Sequence, residues 1–207
     1  MRHRDEATGW PVTLRSEDLA LRPIVLRDAP AWVALRRRNA EWIGPWESTP
    51  PGRHTAEPSV AGFVAYALDQ RRLANAGLAM PFAIVSGGEF VGQISVASVT
   101  RGAVQSASIG YWIDQGHAGR GLVPTGVALV VDHCLITLGL HRLEINVRPE
   151  NTASLRVVAK LGFREEGLKR GFLYVDGAFR DHLSFALLHE DVAPVGLLSR
   201  WKAQQSR

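Results

Sequence analysis

The chain has 207 residues, of which 46% are hydrophobic and 21% are charged. These values are typical of a globular protein, and the length predicts a single domain over residues 1–207. No apolar run reaches the roughly 18 to 20 residues that cross a bilayer, so the composition excludes a membrane-spanning protein. The first ten residues lack the apolar stretch of a secretory signal, and we therefore expect a cytoplasmic protein.

The net charge of +4 is small and partly local. Three arginines, Arg36 to Arg38, end a predicted helix, where cations suit the negative end of the helix dipole. No zinc-finger spacing or RNA-binding aromatic signature accompanies them, so we expect no direct nucleic-acid partner. The single cysteine, Cys134, excludes an internal disulfide and a cysteine-held metal site, and its apolar neighbours predict a buried, inert thiol.

The chain opens with a predicted strand and a helix that begins at Asp28 as N-cap. Between Asn39 and Ser59, four prolines, two glycines and two tryptophans interrupt regular structure and predict a docked loop. Its rings, Trp42 and Trp46, either cap the core or form one wall of a substrate cleft, and the sequence leaves both interpretations open. We call this segment the tryptophan loop.

The middle of the chain predicts a helix over 61–76 and then antiparallel strands, with Gly87 and Gly88 as a hairpin turn. Later, apolar residues alternate over 143–147 and predict a strand. Asn151 is the predicted N-cap of a short helix that ends at Gly162, and Asp176-Gly177 predicts a closing hairpin.

A glycine-rich loop precedes an apolar helix predicted from about Pro124 to Leu138, in the sequence "DQGHAGRGLVPTGVALVVDH". A helix N-terminus offers unpaired N–H groups and the positive end of a dipole, which attract an anion. Gly119 and Gly121 let the backbone approach phosphate oxygens closely, and Arg120 adds positive charge. The alternative is that these glycines only form a tight turn between strand and helix.

The order of these motifs resembles the GCN5-related N-acetyltransferase (GNAT) superfamily. The resemblance covers roughly residues 19–188, which gives the predicted core, with short extensions at both ends. Within the superfamily the chain is most similar to the ribosomal-protein-alanine N-acetyltransferases, and the shared motifs are "PWE" (45–47), "IGYW" (109–112), "GRGL" (119–122), "NTAS" (151–154), "LGF" (161–163) and "DGAFRDH" (176–182).

The resemblance implies an α/β (α+β) fold: a mixed, mostly antiparallel sheet of seven strands, flanked by helices and splayed between the fourth and fifth strands. Acetyl-CoA would bind in this splay as co-substrate, without a metal. The family's pyrophosphate signature is Gln or Arg, two residues, Gly, one residue, then Gly or Ala. We place it on Ala118, Gly119, Arg120, Gly121, Leu122 and Val123, a frame in which Ala118 lacks the usual polar side chain and Val123 adds bulk.

The resemblance also implies residues near the thioester. A backbone N–H near Ile113 would bind the developing oxyanion. Many relatives protonate the leaving thiolate with a tyrosine at the position that is Val158 here. Ser154 is then the candidate acid, with Asn151 beside it in the cofactor site, although Ser154 could instead cap the helix or only anchor CoA.

The general base is left open, because Ser108 replaces the glutamate that many relatives carry on the fourth strand. Glu144, His117, Tyr111, His182 and an ordered water are the alternatives. For the acceptor we assign Trp46 and Tyr111 to substrate binding.

The predicted function is acetyl transfer to a primary amine, in the first place the N-terminal α-amine of a protein such as a ribosomal protein. Two alternatives remain at this point. One is acetylation of a small-molecule amine, such as an amino acid, a polyamine or an antibiotic. The other is a non-catalytic, ribosome-associated protein that binds CoA.

Overall fold

A computed structural model describes residues 9–52 and 57–206. Most of the first ten residues, for which we expected no secretory signal, lie outside these described ranges. Residues 53–56 of the tryptophan loop also lie outside them. In the described chain, eight strands form one mixed sheet: β1 (Leu14–Ser16), β2 (Leu19–Pro23), β3 (Met80–Ser86), β4 (Glu89–Thr100), β5 (Ser106–Ile113), β6 (Arg142–Val147), β7 (Arg164–Val175) and β8 (Ala178–Leu188).

Helices lie on both faces of the sheet, as the resemblance implies. Within the described ranges none of them is long and apolar enough to cross a membrane. They are α1 (Ala29–Arg38), α2 (Ala40–Ile43), α3 (Val60–Asn75), α4 (Leu122–Asp132), α5 (Thr152–Leu161), α6 (His189–Val192) and α7 (Leu197–Gln205).

The sheet has the order β1-β2-β3-β4-β5-β6-β8-β7 and splits in its middle. β5 and β6 are the parallel neighbours, and their register pairs run only from Ser106–Arg142 to Ser108–Glu144. Beyond Ser108 the two strands separate, so the second half of β5 has no strand paired with it on the side that faces β6. The predicted splay is therefore present, and the strand count is eight rather than seven because the short β1 precedes the first predicted strand.

Both predicted hairpins are confirmed. Gly87 and Gly88 connect β3 to β4, and Asp176-Gly177 connects β7 to β8. Asp176 and Gly177 have φ of 50° and 74°, the left-handed pair that a two-residue hairpin turn needs.

One face of the sheet packs against α4 and α5 and holds the main core. Gly126 of α4 lies so close to β4 that an added Cβ would come within 2.6 Å of Ile94 Cδ1. Cys134 is fully buried in this core, and burial raises the pKa of its thiol to about 12. The predicted inert thiol is thus confirmed, since a protonated, inaccessible sulfur is a poor nucleophile.

Residues within the described terminal segments, 9–18 and 189–206, belong to the same core. Trp10 packs edge-on against Phe82 at 5.1 Å between ring centroids, and Trp201 of α7 is also buried. Asp132 at the end of α4 accepts hydrogen bonds from the first backbone amides of α7, at Leu197 and Leu198. The predicted short extensions are therefore packed elements of the fold.

Two local predictions need correction. The tryptophan loop contains a helical turn, α2, and then a 3₁₀ turn at Gly44–Trp46. The helix predicted from Pro124 to Leu138 begins at Leu122 as α4 and changes to a π-helical turn at His133–Thr137. Both involve element boundaries, which depend on backbone hydrogen bonding more than on residue type.

Candidate active site

The glycine-rich loop leads directly from the split edge of β5 into α4. Gly119 and Gly121 have φ of 78° and 76°, a left-handed conformation that side chains rarely adopt, and Gly121 is the N-cap of α4. The amides of Leu122 and Val123 precede the first intrahelical bond, which Thr125 N–H makes to Gly121 O at 3.0 Å. This arrangement gives an anion a set of unpaired backbone donors.

Asp114 fixes the start of this loop. Its buried carboxylate accepts hydrogen bonds from Asn39 Nδ2 at 2.7 Å and His117 Nδ1 at 2.7 Å, and it forms an ion pair with Arg38. Asn39 Oδ1 in turn accepts a hydrogen bond from the backbone N–H of Gln115. Burial alone would raise the pKa of Asp114, but these three partners outweigh burial and lower it, so the carboxylate is ionised at neutral pH.

The structure locates the loop residues of the predicted frame. Ala118 N–H already donates to Gln115 O, and Arg120 is exposed, with its guanidinium donating to Gly116 O at 2.8 Å. Val123 is buried in the core, so its bulk does not face the loop. Within the predicted frame, Gly119 and Gly121 form the left-handed pair.

Backbone donors on β5 face the split. Asp114 N–H donates to Val91 O on β4 at 2.8 Å, so the adjacent Ile113, in the alternating antiparallel ladder, turns its N–H away from β4. Tyr111, two residues earlier, has the same orientation. The pairing of β5 with β6 ends at Ser108, so both N–H groups point into the opening between these strands. This is the orientation that the predicted oxyanion donor at Ile113 requires.

Three predicted residues meet on the α5 side of the split. The Tyr111 and Ser154 hydroxyl oxygens are 2.6 Å apart. Asn151 is the N-cap of α5, and its Oδ1 accepts a hydrogen bond from the backbone N–H of Ser154. Burial raises the pKa of Tyr111 to about 12 although the Ser154 contact opposes it, so the phenol is protonated at neutral pH. Asn151 is thus the helix cap, and the Ser154 hydroxyl is not needed for that purpose. Val158 is buried in the core.

The base candidates differ in their surroundings. His117 is bound to Asp114 in the loop network, and Glu144 is ion-paired with Arg142 and Lys169. Burial would raise the pKa of Glu144, but these two cations lower it. His182 is buried; its Nδ1 donates to Arg180 O, and burial lowers its pKa.

The tryptophan loop crosses the split on the opposite face of the sheet. Trp42 Nε1 donates to Ile113 O at 3.1 Å, which ties the loop to β5. Arg148, directly after β6, donates to Pro45 O at 2.8 Å and places its guanidinium 5.4 Å from the centroid of Trp46. The loop is therefore attached to both diverging strands. Trp46 and Tyr111, both predicted to bind substrate, lie on different faces, because Tyr111 points towards α5.

Sequence reasoning missed two parts of this face. Arg36, treated as part of a solvated helix end, is buried between the rings of Trp32 and Trp112 and bonds Glu47 of the "PWE" motif. The second part is the polar row in which Asn146 on β6 and Arg148 directly after it follow the base candidate Glu144. Strict alternation in "RLEINVR" could have predicted that row, since every second residue points away from the core.

Comparisons with known proteins agree with this geometry. The structure of Mycobacterium smegmatis RimJ in complex with CoA-disulfide superimposes with a TM-score of 0.89 and 40% identity, covering 95% of this chain and 96% of that one. Ribosomal-protein-S5-alanine acetyltransferase from Vibrio fischeri gives a TM-score of 0.78 at 29% identity, covering 88% and 100%. The ribosomal protein uS5-alanine N-acetyltransferase of Escherichia coli (strain K12) is 29% identical over 185 residues, covering 88% of this chain and 94% of that protein.

A Bacillus subtilis (strain 168) protein named "Probable N-acetyltransferase YjcK" is 42% identical over 101 residues, which is 49% of this chain and 56% of that protein. The chain thus spans little more than half the length of this relative. A family model described as an acetyltransferase (GNAT) domain matches residues 18–164. That range contains the split, the glycine loop and the Tyr111–Ser154 pair, and the chain belongs to the GNAT acetyltransferase family.

Proposed function

We propose that the chain transfers the acetyl group of acetyl-CoA to the N-terminal α-amine of a ribosomal protein. The observation that carries the proposal is the position of the glycine loop. The loop follows the split edge of β5 directly and leads into the N-terminus of α4, close to the Tyr111–Ser154 pair. The relatives named above, described as acting on ribosomal proteins or solved with CoA-disulfide, support this substrate class.

Acetyl-CoA suits the donors that the loop provides. The left-handed Gly119 and Gly121 expose backbone amides, and the first turn of α4 adds the positive end of an eleven-residue helix. Arg120 is exposed and could exchange its carbonyl contact at Gly116 for a phosphate oxygen. The split continues from this loop along β5. An acetyl-CoA molecule bound through its pyrophosphate can therefore extend its thioester towards Ile113.

The α5 side would supply the proton for the departing thiolate. A thiol has a reference pKa of about 8.5, so its anion needs only modest stabilisation. Tyr111 is protonated and can donate to Ser154 Oγ, which frees the Ser154 proton for the sulfur. Tyr111 therefore acts with Ser154 in this proposal, and the Ile113 N–H binds the oxyanion that forms at the acetyl carbonyl.

The acceptor would enter on the face of the tryptophan loop. That face carries Trp46, Trp112 and the polar side chains of β6, and it lies across the sheet from α5. Aromatic and polar groups around an opening suit a short peptide end more than a purely apolar molecule. The loop contacts to Ile113 and Arg148 support an entrance next to the proposed oxyanion donor.

Thiol release from acetyl-CoA tests the function. The purified chain is incubated with peptides that begin with alanine, serine or acetylated alanine, and with free amino acids and polyamines. We expect release with the free peptide ends, and mass spectrometry should locate the acetyl group on the α-amine. Turnover confined to the small amines would replace the protein substrate by a small-molecule one, and CoA binding without any turnover would refute catalysis.

A further inference from the structure

One side-chain amide oxygen beside the split has no hydrogen-bond partner among the described residues. Asn146 Oδ1 on β6 is buried and has no hydrogen bond within residues 9–52 and 57–206. Native proteins leave few buried polar atoms unpaired, because such an atom loses its hydration and gains nothing in return. Trp32 Nε1, the other such side-chain atom in those ranges, lies among the rings of Phe63 and Tyr66.

The sheet register locates this amide across the split from Gly110. β5 and β6 pair in parallel up to Ser108 and Glu144, and two residues further along the same face come Gly110 and Asn146, where the strands have separated. A Cβ added at Gly110 would meet nothing within 4 Å. Asn146 therefore lies at the edge of the split, on the face of the sheet that also carries Arg148.

The chemistry of this face favours a neutral hydrogen-bond acceptor. The two carboxylates nearby are already paired: Glu47 binds Arg36, and Glu144 binds Arg142 and Lys169. A free carboxylate would stabilise the acceptor as an ammonium ion, which has no lone pair with which to attack. An amide oxygen accepts an N–H hydrogen bond from the neutral amine and leaves the nitrogen lone pair available.

Building on the acetyl transfer proposed above, we propose that Asn146 Oδ1 binds the N–H of the acceptor α-amine and directs its nitrogen lone pair at the thioester carbon. The C–N bond forms and the C–S bond breaks. The leaving sulfur takes a proton from the Ser154 hydroxyl, and Ser154 regains one from Tyr111. The amine nitrogen gives up one of its two protons to solvent, and solvent returns one proton to Tyr111, so both hydroxyls are restored. Gly110 leaves the space that the first acceptor residue occupies.

Asn146→Leu is the main test, because leucine has nearly the same size and no polar atom. We expect kcat/KM for an alanine-initiated peptide to fall at least about tenfold, mainly through the acceptor KM, with the Kd for CoA unchanged. The unfolding temperature should stay the same or rise, since the change removes an unpaired buried oxygen. Ser184→Ala is the matched control: Ser184 is the β8 register partner of Asn146, on the side away from the split, and its loss should leave these kinetics unchanged.

Gly110→Ala is the second variant. Its methyl group projects into open space, so the protein should fold normally while the acceptor KM rises and CoA affinity stays constant. Unchanged acceptor kinetics in either folded variant would overturn the inference. A lower unfolding temperature together with weaker CoA binding in Asn146→Leu would also overturn it, because this pattern marks a structural asparagine. A wild-type protein that acetylates no amine would refute the proposed function and this inference together, whereas normal transfer by Asn146→Leu refutes this inference alone.

Discussion

At the scale of single residues, the mechanism proposed above replaces the tyrosine of many relatives by the Tyr111–Ser154 pair. Val158 is buried and has no proton to donate, whereas the phenol of Tyr111 on β5 contacts the Ser154 hydroxyl. From the sequence, Ser154 is predicted as the acid, and Tyr111 is predicted to bind substrate and is one of the possible bases. The structure adds the alternation of side chains along β5, which turns Tyr111 towards α5 and Trp112 towards Arg36.

Replacing Ser154 with alanine tests this pair. The N-cap of α5 is Asn151, so the helix should remain intact, and the expected loss is in kcat, by roughly 10²-fold, the lower range of general acid catalysis. Steady-state kinetics with acetyl-CoA varied at saturating peptide give the result. Asn151→Ala is the control, since it removes the cap and should cost about 1 kcal/mol of stability. A raised KM for acetyl-CoA at normal kcat in Ser154→Ala would mean that Ser154 only anchors the cofactor.

Replacing Gly121 with valine tests the anion site. Valine is strained at a φ of 76° and places two methyl groups at the N-terminus of α4, so calorimetry should show at least about tenfold weaker CoA binding. Gly102→Val is a matched control, because Gly102 has a φ of 70° and open space around it, and it lies in the turn between β4 and β5. Both variants carry the backbone strain. Equal CoA affinities in the two would remove the glycine loop from the binding site.

At the scale of elements, the sequence predicted most of the architecture because its signals were local. The turn at Asp176-Gly177, the cap at Asn151 and the left-handed Gly162 each depend on residues close in the chain, and all three are present. The pairing of Arg36 with Glu47 could not be found in this way. It joins two elements through a position between the rings of Trp32 and Trp112, which is a tertiary arrangement that no spacing in the sequence reveals.

The loop between β5 and α4 should depend on the charge of Asp114. The pKa of this carboxyl is lowered in the folded state, so its contribution to stability is present above the unfolded value of about 3.9 and is lost as the pH falls through the lower folded value. Asp114→Asn keeps the shape but not the charge. We expect it to lose roughly 1–3 kcal/mol at pH 7, as for hydrogen bonds to a buried charged group, and this difference should narrow as the pH falls below the unfolded pKa.

Chemical unfolding of both proteins between pH 3 and pH 7 measures this difference. Asp69→Asn serves as control, because Asp69 pairs with Arg72 on an exposed helix surface and should matter little. A constant difference between Asp114→Asn and the wild type across this pH range would show that the charge is not responsible.

At the scale of the whole molecule, the described segments near the two chain ends contact each other beside α4. α7 lies along α4, where Trp201 Nε1 donates to Thr125 Oγ1 at 3.0 Å, and Lys202 pairs with Glu17 in the turn between β1 and β2. The family model ends at residue 164, so it does not include α7. Yet the Trp201 ring lies only 4.0 Å from where a Cβ would stand at Gly121, which places α7 beside the anion site.

Trp201→Ala should therefore reduce both stability and CoA affinity. Removing a buried tryptophan costs about 3–5 kcal/mol, and the cavity would lie beneath the first turn of α4, whose amides are the proposed phosphate donors. Thermal unfolding gives the first effect and CoA titration at a temperature where the variant is folded gives the second. Lys202→Ala, which removes only an exposed ion pair on the same helix, should change neither by much. If Trp201→Ala loses stability but binds CoA as tightly as Lys202→Ala does, α7 supports the core alone and the first turn of α4 keeps its geometry without it.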